Sequence, residues 1–277
     1  MPESPEVQAL AENLADRLAG RVLGEVDVVE FRTVKTRTRP PSSLADAAVT
    51  DVRRLGKHVD VVFGDDHLLV SLGRHGWMRW AGEPLAATAD GDSAPPTLAV
   101  FDFGDGTTLE ATDAGDWVSL GLSVVDDPAE VAAVAKLGPD PADADFTRDE
   151  FDRAVRGRRK QIKAILQEQE SLSGIGNAYS DEILHAAKVS PVAHAAALDT
   201  DALDRVFAST TATVRDAIAA RRGIPLHELK AAKVAAMRVH GRAGLSCPVC
   251  GDTIRDFRFG STTAEYCPTC QTGGAEL

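Results

Sequence analysis

The sequence has little cysteine, few aromatic residues and no long apolar run. Its four cysteines all lie between residues 247 and 270, which excludes a disulfide framework spread over the 277-residue chain. No stretch approaches the roughly 20 apolar residues that a membrane-spanning helix needs. The start, Met-Pro-Glu-Ser-Pro-Glu, lacks the basic and apolar regions of a signal peptide. We therefore expect a cytosolic protein without a membrane partner.

Positive charge is also scarce, because 30 basic residues accompany 42 acidic ones and the net charge is −12. The acids concentrate in residues 81–150, where 16 of them occur with only Lys136 and Arg148. Two stretches contain no acid: Arg153 to Lys163, and the segment with Lys230, Lys233, Arg238 and Arg242. Local clusters, more than total charge, decide whether an anionic polymer binds. From charge alone, a solvated helix face remains the simpler interpretation.

Apolar spacing and turn residues predict an α+β protein. Apolar residues recur at helical spacing after Ser4, which can act as an N-cap, and Gly20 can end this helix. Runs typical of strands flank residues 64–66 and 104–106, which predicts two β-hairpins. Several short strands between residues 22 and 124 favour a β-sandwich over a parallel sheet.

We expect four segments along the chain. Residues 1–125 would form the β-sandwich domain with its N-terminal helix, and residues 126–148, rich in Pro and Asp, would form a linker. Residues 149–243 are Ala-rich and predict a helical domain. Residues 244–277 form a small cysteine module.

The cysteines form the strongest local motif. Cys247-Pro-Val-Cys250 and Cys267-Pro-Thr-Cys270 are separated by 16 residues, which suit a β-hairpin. Two such pairs supply four thiolates for one tetrahedral Zn²⁺, and this explains the spacing better than redox pairs or unrelated thiols. Since cysteine takes all four positions, no open coordination site remains for catalysis. The motif therefore predicts one structural zinc ion.

A glycine-rich turn, Gly174-Ile175-Gly176-Asn177, interrupts the helical region. A helix that begins near Asn177 presents first-turn N–H groups without intrahelical acceptors, and such groups bind phosphate well. Taken alone, the four residues are better explained as an ordinary helix–helix connection. The basic run that ends at Lys163 lies close before the turn and favours phosphate binding, with Lys163 and Asn177 as candidate contacts.

The extreme N-terminus offers a possible nucleophile. Pro2 is small enough to permit removal of the initiator methionine, which would expose a secondary amine. Such an amine attacks an aldehydic carbon and forms an iminium ion that acts as an electron sink. Glu3 lies beside it and can transfer protons. When the motif is taken alone, an N-terminal proline without any catalytic role is the favoured interpretation.

Five motifs occur in order along the chain. They are Met-Pro-Glu-Ser-Pro-Glu-Val at the start, Arg54-Leu-Gly-Lys-His58, Leu137-Gly-Pro-Asp-Pro141, Ser173-Gly-Ile-Gly-Asn-Ala-Tyr-Ser-Asp-Glu-Ile183, and Val239-His-Gly-Arg-Ala-Gly244. With the cysteines, they make the sequence resemble, from end to end, the formamidopyrimidine-DNA glycosylase / endonuclease VIII family of base-excision repair enzymes. The resemblance implies a catalytic β-sandwich, a helix–two-turn–helix domain and a zinc finger, acting as a monomer on damaged double-stranded DNA.

The resemblance also implies roles for individual residues. In that family the N-terminal proline attacks C1′ of the damaged nucleoside, and Pro2 matches it. Glu3 matches the glutamate that protonates the sugar, and Glu6 matches a second glutamate that supports the site. Lys57 matches a hairpin lysine that contacts phosphate near the lesion, and Asn177 matches a phosphate-binding residue. The implied reaction is glycosidic cleavage followed by β- and δ-elimination at the abasic sugar.

The zinc hairpin departs from the family pattern. Family members usually carry an arginine five residues before the third cysteine, where it clamps the phosphates of the flipped nucleotide. Thr262 stands at that position here. Arg255 and Arg258 lie elsewhere in the same hairpin, and Arg258 is the candidate replacement.

The residues that fill the space of an extruded base also depart from the family pattern. A methionine that commonly follows Leu-Gly is replaced by Arg74, and a loop that commonly reads Asp-Pro-Arg-Arg-Phe-Gly is Asp113-Ala-Gly-Asp-Trp-Val118 here. Arg74 and Trp117 can fill the gap by stacking, whereas Asp116 would repel phosphate. These changes bear on lesion choice and on the preference for duplex DNA.

Three functions therefore compete. The first is a DNA glycosylase with abasic-site lyase activity that excises oxidised bases. The second is a non-catalytic module that binds damaged DNA, which does not account for Pro2, Glu3 and Lys57. The third is an enzyme that acts mainly on abasic or single-stranded sites, which the altered wedge residues favour.

Overall fold

The structure of the chain is a computed structural model that describes residues 1–84, 94–259 and 262–277. It forms two compact units. The N-terminal unit contains residues 1–136 and 221–231, and the C-terminal unit contains residues 137–220 and 232–277. Among the described residues, no helix has both the length and the apolar character to cross a membrane.

The N-terminal unit begins with helix α1 and continues with eight strands. Helix α1 spans Ser4–Leu18. The strands are β1 Glu25–Val28, β2 Asp51–Leu55, β3 His58–Phe63, β4 Asp66–Ser71, β5 Gly76–Trp80, β6 Thr97–Asp102, β7 Thr108–Asp113 and β8 Gly121–Val125. They form two antiparallel four-stranded sheets in the orders β1-β6-β7-β5 and β2-β3-β4-β8. Both hairpins expected from the sequence are present, as β3-β4 and β6-β7.

A single apolar core holds these elements together. Alternate residues of β3 and β4, such as Val59 and Val70, face the same core as Phe101 of β6 and Leu14 of α1. Both sheets and the helix therefore bury one face each, as a β-sandwich with a packed helix requires. The expected α+β class and N-terminal β-sandwich are confirmed.

The start of α1 corrects one expectation. Glu3, not Ser4, is the N-cap, and it forms a reciprocal capping box with Glu6 at position N3. Ser4 is already the first helical residue, and the helix ends before Gly20, which has a φ of +75°. The acidic cap thus lies directly after Pro2.

The C-terminal unit is mainly helical. Helix α2, Ala132–Ala135, still belongs to the N-terminal unit. The elements that follow are α3 Arg148–Val155, α4 Ile162–Gln167, α5 Asn177–Ala187, α6 Thr200–Arg221, α7 Leu229–Ala236, strands β9 Arg255–Phe259 and β10 Thr262–Tyr266, and α8 Pro268–Gln271. Arg221 and the first residues of α7 are part of the N-terminal unit. Phe151, Ile165, Tyr179 and Val206 lie in the main core of the C-terminal unit. The pair β9-β10 is antiparallel and carries the cysteines at its ends.

The segment 221–231 packs with the N-terminal unit although it follows the long helix α6. Leu226 and Leu229 are buried in the core of the sandwich, and Ile224 packs against it. The boundaries expected from the sequence, at residues 125, 148 and 243, remain a proposal about domains.

Candidate functional site

The first turn of α1 holds two buried carboxylates. Glu3 and Glu6 are 1% and 3% exposed. The Glu3 N–H donates to Glu6 Oε2 over 3.1 Å, and the Glu3 carboxylate accepts the Glu6 N–H in return. Each carboxylate therefore fixes the other next to Pro2, which is half-buried, while Met1 is exposed. The positive end of the helix dipole lies in the same turn and stabilises both negative charges.

The β2-β3 turn lies against this first turn through Arg54. The Arg54 guanidinium donates to Gln8 Oε1 over 2.9 Å and to Ser4 Oγ over 3.4 Å, both on α1. The same group donates to the carbonyl of Gly56 over 3.0 Å. Gly56 has a φ of +57°, which a two-residue hairpin turn requires and which glycine adopts without strain. Lys57, the next residue, is therefore held close to the N-terminal turn.

Arg221 is a further member of this cluster that the sequence did not indicate. Its Nε lies 3.8 Å from Glu6 Oε1, and its side chain is 4% exposed. No motif surrounds Arg221, and its long separation from Glu6 in sequence hides the contact. Only the return of segment 221–231 to the N-terminal unit brings the two residues together.

Arg74 and Trp117 lie on two loops that are joined by hydrogen bonds. The N–H of Arg74 donates to Ser119 Oγ over 3.0 Å, and the Asp113 carboxylate accepts the Ser119 N–H over 2.7 Å. A Cβ at Gly73 would lie 2.3 Å from the Ser119 carbonyl oxygen, so only glycine permits this approach. Arg74 and Trp117 are both exposed, Trp117 by 66%. Both wedge candidates therefore project from one joined loop pair.

The Asp113 carboxylate organises the second of these loops. Burial acts to raise its pKa, but hydrogen bonds from Gly115, Ser119 and Leu120 outweigh burial and lower the pKa. A carboxylate with a lowered pKa therefore closes the loop that carries Asp116 and Trp117, and Asp116 itself is exposed.

In the C-terminal unit, the turn before α5 is held by glutamine side chains. Gly174 has a φ of +85°, and its N–H donates to Gln169 Oε1 over 2.9 Å. The Gln169 amide donates in turn to the Ile175 carbonyl over 2.8 Å. Gln167 donates to Asn177 Oδ1 over 3.1 Å at the first helical residue. Asn177 is half-buried at the predicted helix start, in a rigid turn.

Lys163 does not lie on this surface. Its side chain is 0% exposed, and its Nζ donates to Asp181 Oδ1 over 2.6 Å and to Ser180 Oγ over 2.8 Å. It also donates to the Asn177 carbonyl over 3.1 Å. Because the ammonium group is enclosed by acceptors of α5, it positions the Asn177 turn and is not available to contact a phosphate directly.

Acids from elsewhere in the chain also pair with the basic run around residues 153–163. Glu168 pairs with Arg158 over 2.8 Å and also with Lys160. Burial acts to raise the Glu168 pKa, but these bonds and one from Ser171 bring it to about 2. Arg153 and Arg159 are exposed. The positive charge that this run offers to an anion is therefore smaller than its sequence indicates.

The four cysteine sulfurs form one cluster in the C-terminal unit. All four lie within 4.8 Å of one another, with 3.9 Å between Cys247 and Cys270 and 3.3 Å between Cys250 and Cys267. Tetrahedral zinc with Zn–S bonds of about 2.3 Å places its sulfurs about 3.8 Å apart. The donor set and its spacing therefore fit one zinc ion, although no ion is part of the structure.

Helix α5 supports the zinc module through residues that the sequence reading did not single out. His185 Nε2 lies 3.3 Å from Cys247 Sγ, and Glu182 accepts the N–H groups of Arg238, Val239 and His240 over 2.9–3.0 Å. Burial lowers the pKa of His185 and raises that of Glu182. Their spacing on one helix is ordinary, so only the fold reveals this role.

The zinc hairpin presents Arg258 on β9, and the side chain is exposed. Thr262 begins β10 and pairs with Phe259 in the backbone register. The hairpin tip at residues 260–261 lies outside the described residues. Arg258 is thus placed on a strand surface.

Comparison with known proteins gives three matching family models. Residues 1–116 match the formamidopyrimidine-DNA glycosylase N-terminal domain, residues 137–227 the formamidopyrimidine-DNA glycosylase H2TH domain, and residues 244–273 a zinc finger found in FPG and IleRS. Together they cover most of the chain and agree with the order of motifs found in the sequence.

Individual proteins agree with these models. The formamidopyrimidine-DNA glycosylase of Corynebacterium jeikeium is 33% identical over 98% of this chain and 100% of that protein. An uncharacterised formamidopyrimidine-DNA glycosylase-like protein of Mycobacterium tuberculosis is 43% identical, over 51% of this chain and 88% of that protein. The Lactococcus lactis Fpg structure with DNA containing an oxidised pyrimidine is 25% identical, with a TM-score of 0.84 over 98% of this chain and 100% of that one.

Proposed function

Because this chain belongs to the formamidopyrimidine-DNA glycosylase family, we propose that it removes damaged bases from double-stranded DNA and cleaves the resulting abasic site. Members of the family are DNA N-glycosylases with abasic-site lyase activity. The observation that carries the proposal for this chain is the reciprocal pair of buried carboxylates, Glu3 and Glu6, directly after Pro2.

Pro2 is the proposed nucleophile. Removal of Met1, which is exposed, leaves a secondary amine on Pro2. The amine forms a bond to C1′ as the glycosidic bond breaks, and the base leaves with the electron pair of that bond. The ring oxygen of the sugar takes a proton as the ring opens, so the product is an iminium ion between Pro2 and C1′.

Glu3 is the proposed proton donor and acceptor in this sequence. The Glu3 carboxylate can take the N–H proton that the Pro2 amine loses on attack, and the resulting carboxylic acid can give this proton to the sugar ring oxygen. The regenerated carboxylate can then accept the proton that leaves C2′ during β-elimination. The electrons of that C2′–H bond move into the iminium system. They then return to form a C2′–C3′ double bond as the C3′–O bond breaks and the 3′ phosphate leaves. A second elimination expels the 5′ phosphate, and hydrolysis of the iminium releases the amine.

Lys57 and Asn177 are the proposed phosphate contacts. Lys57 lies on the turn that Arg54 holds against α1, so its positive charge lies near the proposed nucleophile, where the leaving phosphate develops negative charge. Asn177 begins α5, whose first turn attracts anions. Lys163 supports Asn177 from beneath, because its ammonium group binds the Asn177 carbonyl. Arg258 is the proposed contact from the zinc hairpin.

Arg74 and Trp117 are the proposed wedge residues. Extrusion of a base leaves a gap in the stack, and an exposed aromatic or guanidinium plane can fill it. The two residues project from loops that share the Ser119 hydroxyl, so they can enter the duplex together. Asp116, beside Trp117, brings a negative charge toward phosphates and weakens duplex binding.

The proposed cofactor is one structural zinc ion held by Cys247, Cys250, Cys267 and Cys270. Bound zinc supplies folding free energy to this small module. The positive charge of the proposed interface supports DNA as the partner, and the bacterial relatives support a location in the bacterial cytoplasm. We propose that the protein acts there as a monomer.

A second candidate is an enzyme that acts mainly on abasic or single-stranded DNA. The exposed Asp116 favours it, because this charge opposes the close duplex contact that base extrusion needs. Such an enzyme keeps the Pro2 chemistry and has a weakened first step.

The experiment compares four equally long substrates in single-turnover reactions. They are duplexes with an oxidised purine, an oxidised pyrimidine or an abasic site, and a single strand with an abasic site. Release of either oxidised base at a rate within about tenfold of abasic-site cleavage supports the glycosylase. Cleavage of abasic sites alone supports the second candidate, and cleavage of none of the substrates contradicts both.

A further inference from the structure

Arg221 is a buried cation, and part of its hydrogen-bonding capacity is not used. Its side chain is 4% exposed, and among the described residues neither Nε nor Nη2 has a hydrogen-bond acceptor. A guanidinium group stays charged in proteins and carries five N–H donors. Burial of such a group without acceptors destabilises a fold, so its presence calls for an explanation.

The nearest carboxylate is Glu6, in the proposed active site. Arg221 Nε lies 3.8 Å from Glu6 Oε1, which is an ion-pair distance but too long for a hydrogen bond. The other oxygen, Glu6 Oε2, accepts the Glu3 N–H over 3.1 Å. A movement of about 1 Å would convert the ion pair into a charge-assisted hydrogen bond, which is stronger and more directional.

The backbone that carries Arg221 is well anchored. Leu226 and Leu229 are buried in the sandwich core, and Arg222 lies 3.2 Å from Glu12 on α1. Arg221 is also the last residue of α6, where the negative end of the helix dipole favours a cation. The side chain is therefore delivered to Glu6 by a fixed segment.

We propose that Arg221 is a positioning residue of the active site, which closes onto Glu6 when damaged DNA is bound and thereby fixes Glu3 beside Pro2. The inference rests on the proposed function, since it concerns the same carboxylates. Arg221 acts through Glu6, because the Glu6 carboxylate accepts the Glu3 N–H and the Glu3 carboxylate accepts the Glu6 N–H. In DNA-free protein the guanidinium is held close to its acceptor, at the expense of stability.

A positioning role predicts that folded protein without the Arg221 guanidinium forms the iminium ion more slowly, which a purely structural role does not predict. Methionine has nearly the shape of the arginine stem and carries no donor or charge. An Arg221→Met variant leaves the buried Glu6 carboxylate without its ion-pair partner, so its Tm should be no higher than that of the wild type. The same variant should form the iminium ion about 10- to 100-fold more slowly, since one charge-assisted hydrogen bond is lost.

The test uses the full-length protein and a duplex oligonucleotide with one abasic site. Borohydride reduces the iminium ion and traps the covalent complex, and its formation rate is measured under single turnover. Arg221→Lys keeps the charge and should recover part of the rate, while Arg221→Gln keeps donors only and should recover less. Arg222→Met is the matched control, because Arg222 is the adjacent, largely exposed arginine, and it should trap at the wild-type rate.

Thermal unfolding and DNA affinity are measured on the same variants. Slower trapping by Arg221→Met at a temperature well below its Tm, with unchanged duplex affinity and a faster rate for Arg221→Lys than for Arg221→Gln, supports the positioning role. Wild-type trapping by Arg221→Met contradicts it, and so do equal rates for the Lys and Gln variants. If Arg221→Met does not fold, equal rates for the Lys and Gln variants contradict the inference and a faster Lys variant supports it. Failure of the wild type to trap overturns the proposed function instead.

Discussion

At the scale of single residues, Lys163 shows how burial changes the meaning of a charge. Its ammonium group and the Asp181 carboxylate are both 0% exposed and bind each other over 2.6 Å. Removal of one member leaves the other as an unpaired buried charge, which costs about 3–5 kcal/mol. The pair therefore supports the fold around Asn177.

Replacement of Lys163 by Met should lower the free energy of unfolding by about 3–5 kcal/mol. The double variant Lys163→Met/Asp181→Asn should recover part of this loss, because it leaves no buried charge. Urea denaturation of the three proteins measures both effects. A stable Lys163→Met protein that has lost only DNA affinity would show that Lys163 leaves its partner to bind phosphate.

Trp117 has the opposite environment, since it is 66% exposed and packs little against the fold. Trp117→Ala should leave Tm within about 2 °C of the wild type and slow base excision about tenfold or more. Cleavage of a ready-made abasic site should slow much less, because no base has to be extruded. Single-turnover rates on the two duplexes measure the difference.

Phe31→Ala is the matched control for Trp117, because Phe31 is an exposed aromatic residue of the same unit, 79% exposed, outside the wedge loops. It should change neither rate. Equal slowing of both substrates by Trp117→Ala would assign the residue to general DNA binding rather than to base extrusion.

At the scale of elements, the zinc module depends on a metal for its fold. Among its described residues, the core contains only Val239, Ile254 and two of the cysteines, with a third cysteine packed against them. Burial raises the pKa of Cys270 to about 11, so this thiol needs a cation to become a thiolate. The binding free energy of zinc is thus a large part of the folding free energy of the module.

Cys247→Ser should abolish stoichiometric zinc and unfold the β9-β10 hairpin. Duplex affinity should fall at least tenfold, while a slow borohydride-trapped complex remains at high protein concentration, because Pro2 lies in the other unit. Elemental analysis and circular dichroism measure the structural effect. Active wild-type protein without zinc would contradict the structural role of the metal.

The elements also show what could be predicted from the sequence. The β3-β4 and β6-β7 hairpins and the start of α5 were predicted because Gly and Asp turn residues act locally. The N-cap was misassigned to Ser4 because Glu3 competes for the same role through its box with Glu6. The sequence does not show an acidic partner for Arg158 and Lys160, because Glu168, which pairs with both, lies outside the basic run.

The site residues also divide into those that local sequence motifs indicate and those that only tertiary contacts bring together. Pro2, Glu3, Glu6 and the four cysteines could be proposed from sequence motifs, because their chemistry depends on neighbours at short range. Arg221 could not be proposed, since its contact with Glu6 exists only after the chain returns to the first unit. Tertiary contacts between distant segments leave no periodic pattern in a single sequence.

At the scale of the whole molecule, an acidic protein must bind a polyanion. We predict that the acids of residues 81–84 and 94–150, with the exception of Asp116, face away from the duplex, while residues 85–93 lie outside the described residues. Each phosphate neutralised steepens the plot of log K against log salt by about 0.9. Glu168 and Asp181 already pair with three cations of the basic run. The slope of log K against log salt should therefore correspond to few phosphate contacts, about two to four.

Asp116→Arg should raise duplex affinity and steepen the salt dependence by about one phosphate contact. Asp145→Arg is the control, because Asp145 is exposed in the same acidic region and outside the wedge loops. It should change the affinity much less. Binding titrations at two salt concentrations measure both variants, and equal gains from the two would mean that position 116 does not face DNA.

The identity of the nucleophile tests the account most directly. Borohydride trapping on a duplex with one abasic site, followed by proteolysis and mass spectrometry, locates the sugar adduct on the chain. We predict an adduct on the N-terminal peptide, which begins at Pro2 after loss of Met1, and at least a 100-fold slower reaction for Pro2→Gly with intact DNA binding. An adduct on the peptide that contains Lys57, or trapping by Pro2→Gly at the wild-type rate, would contradict the account.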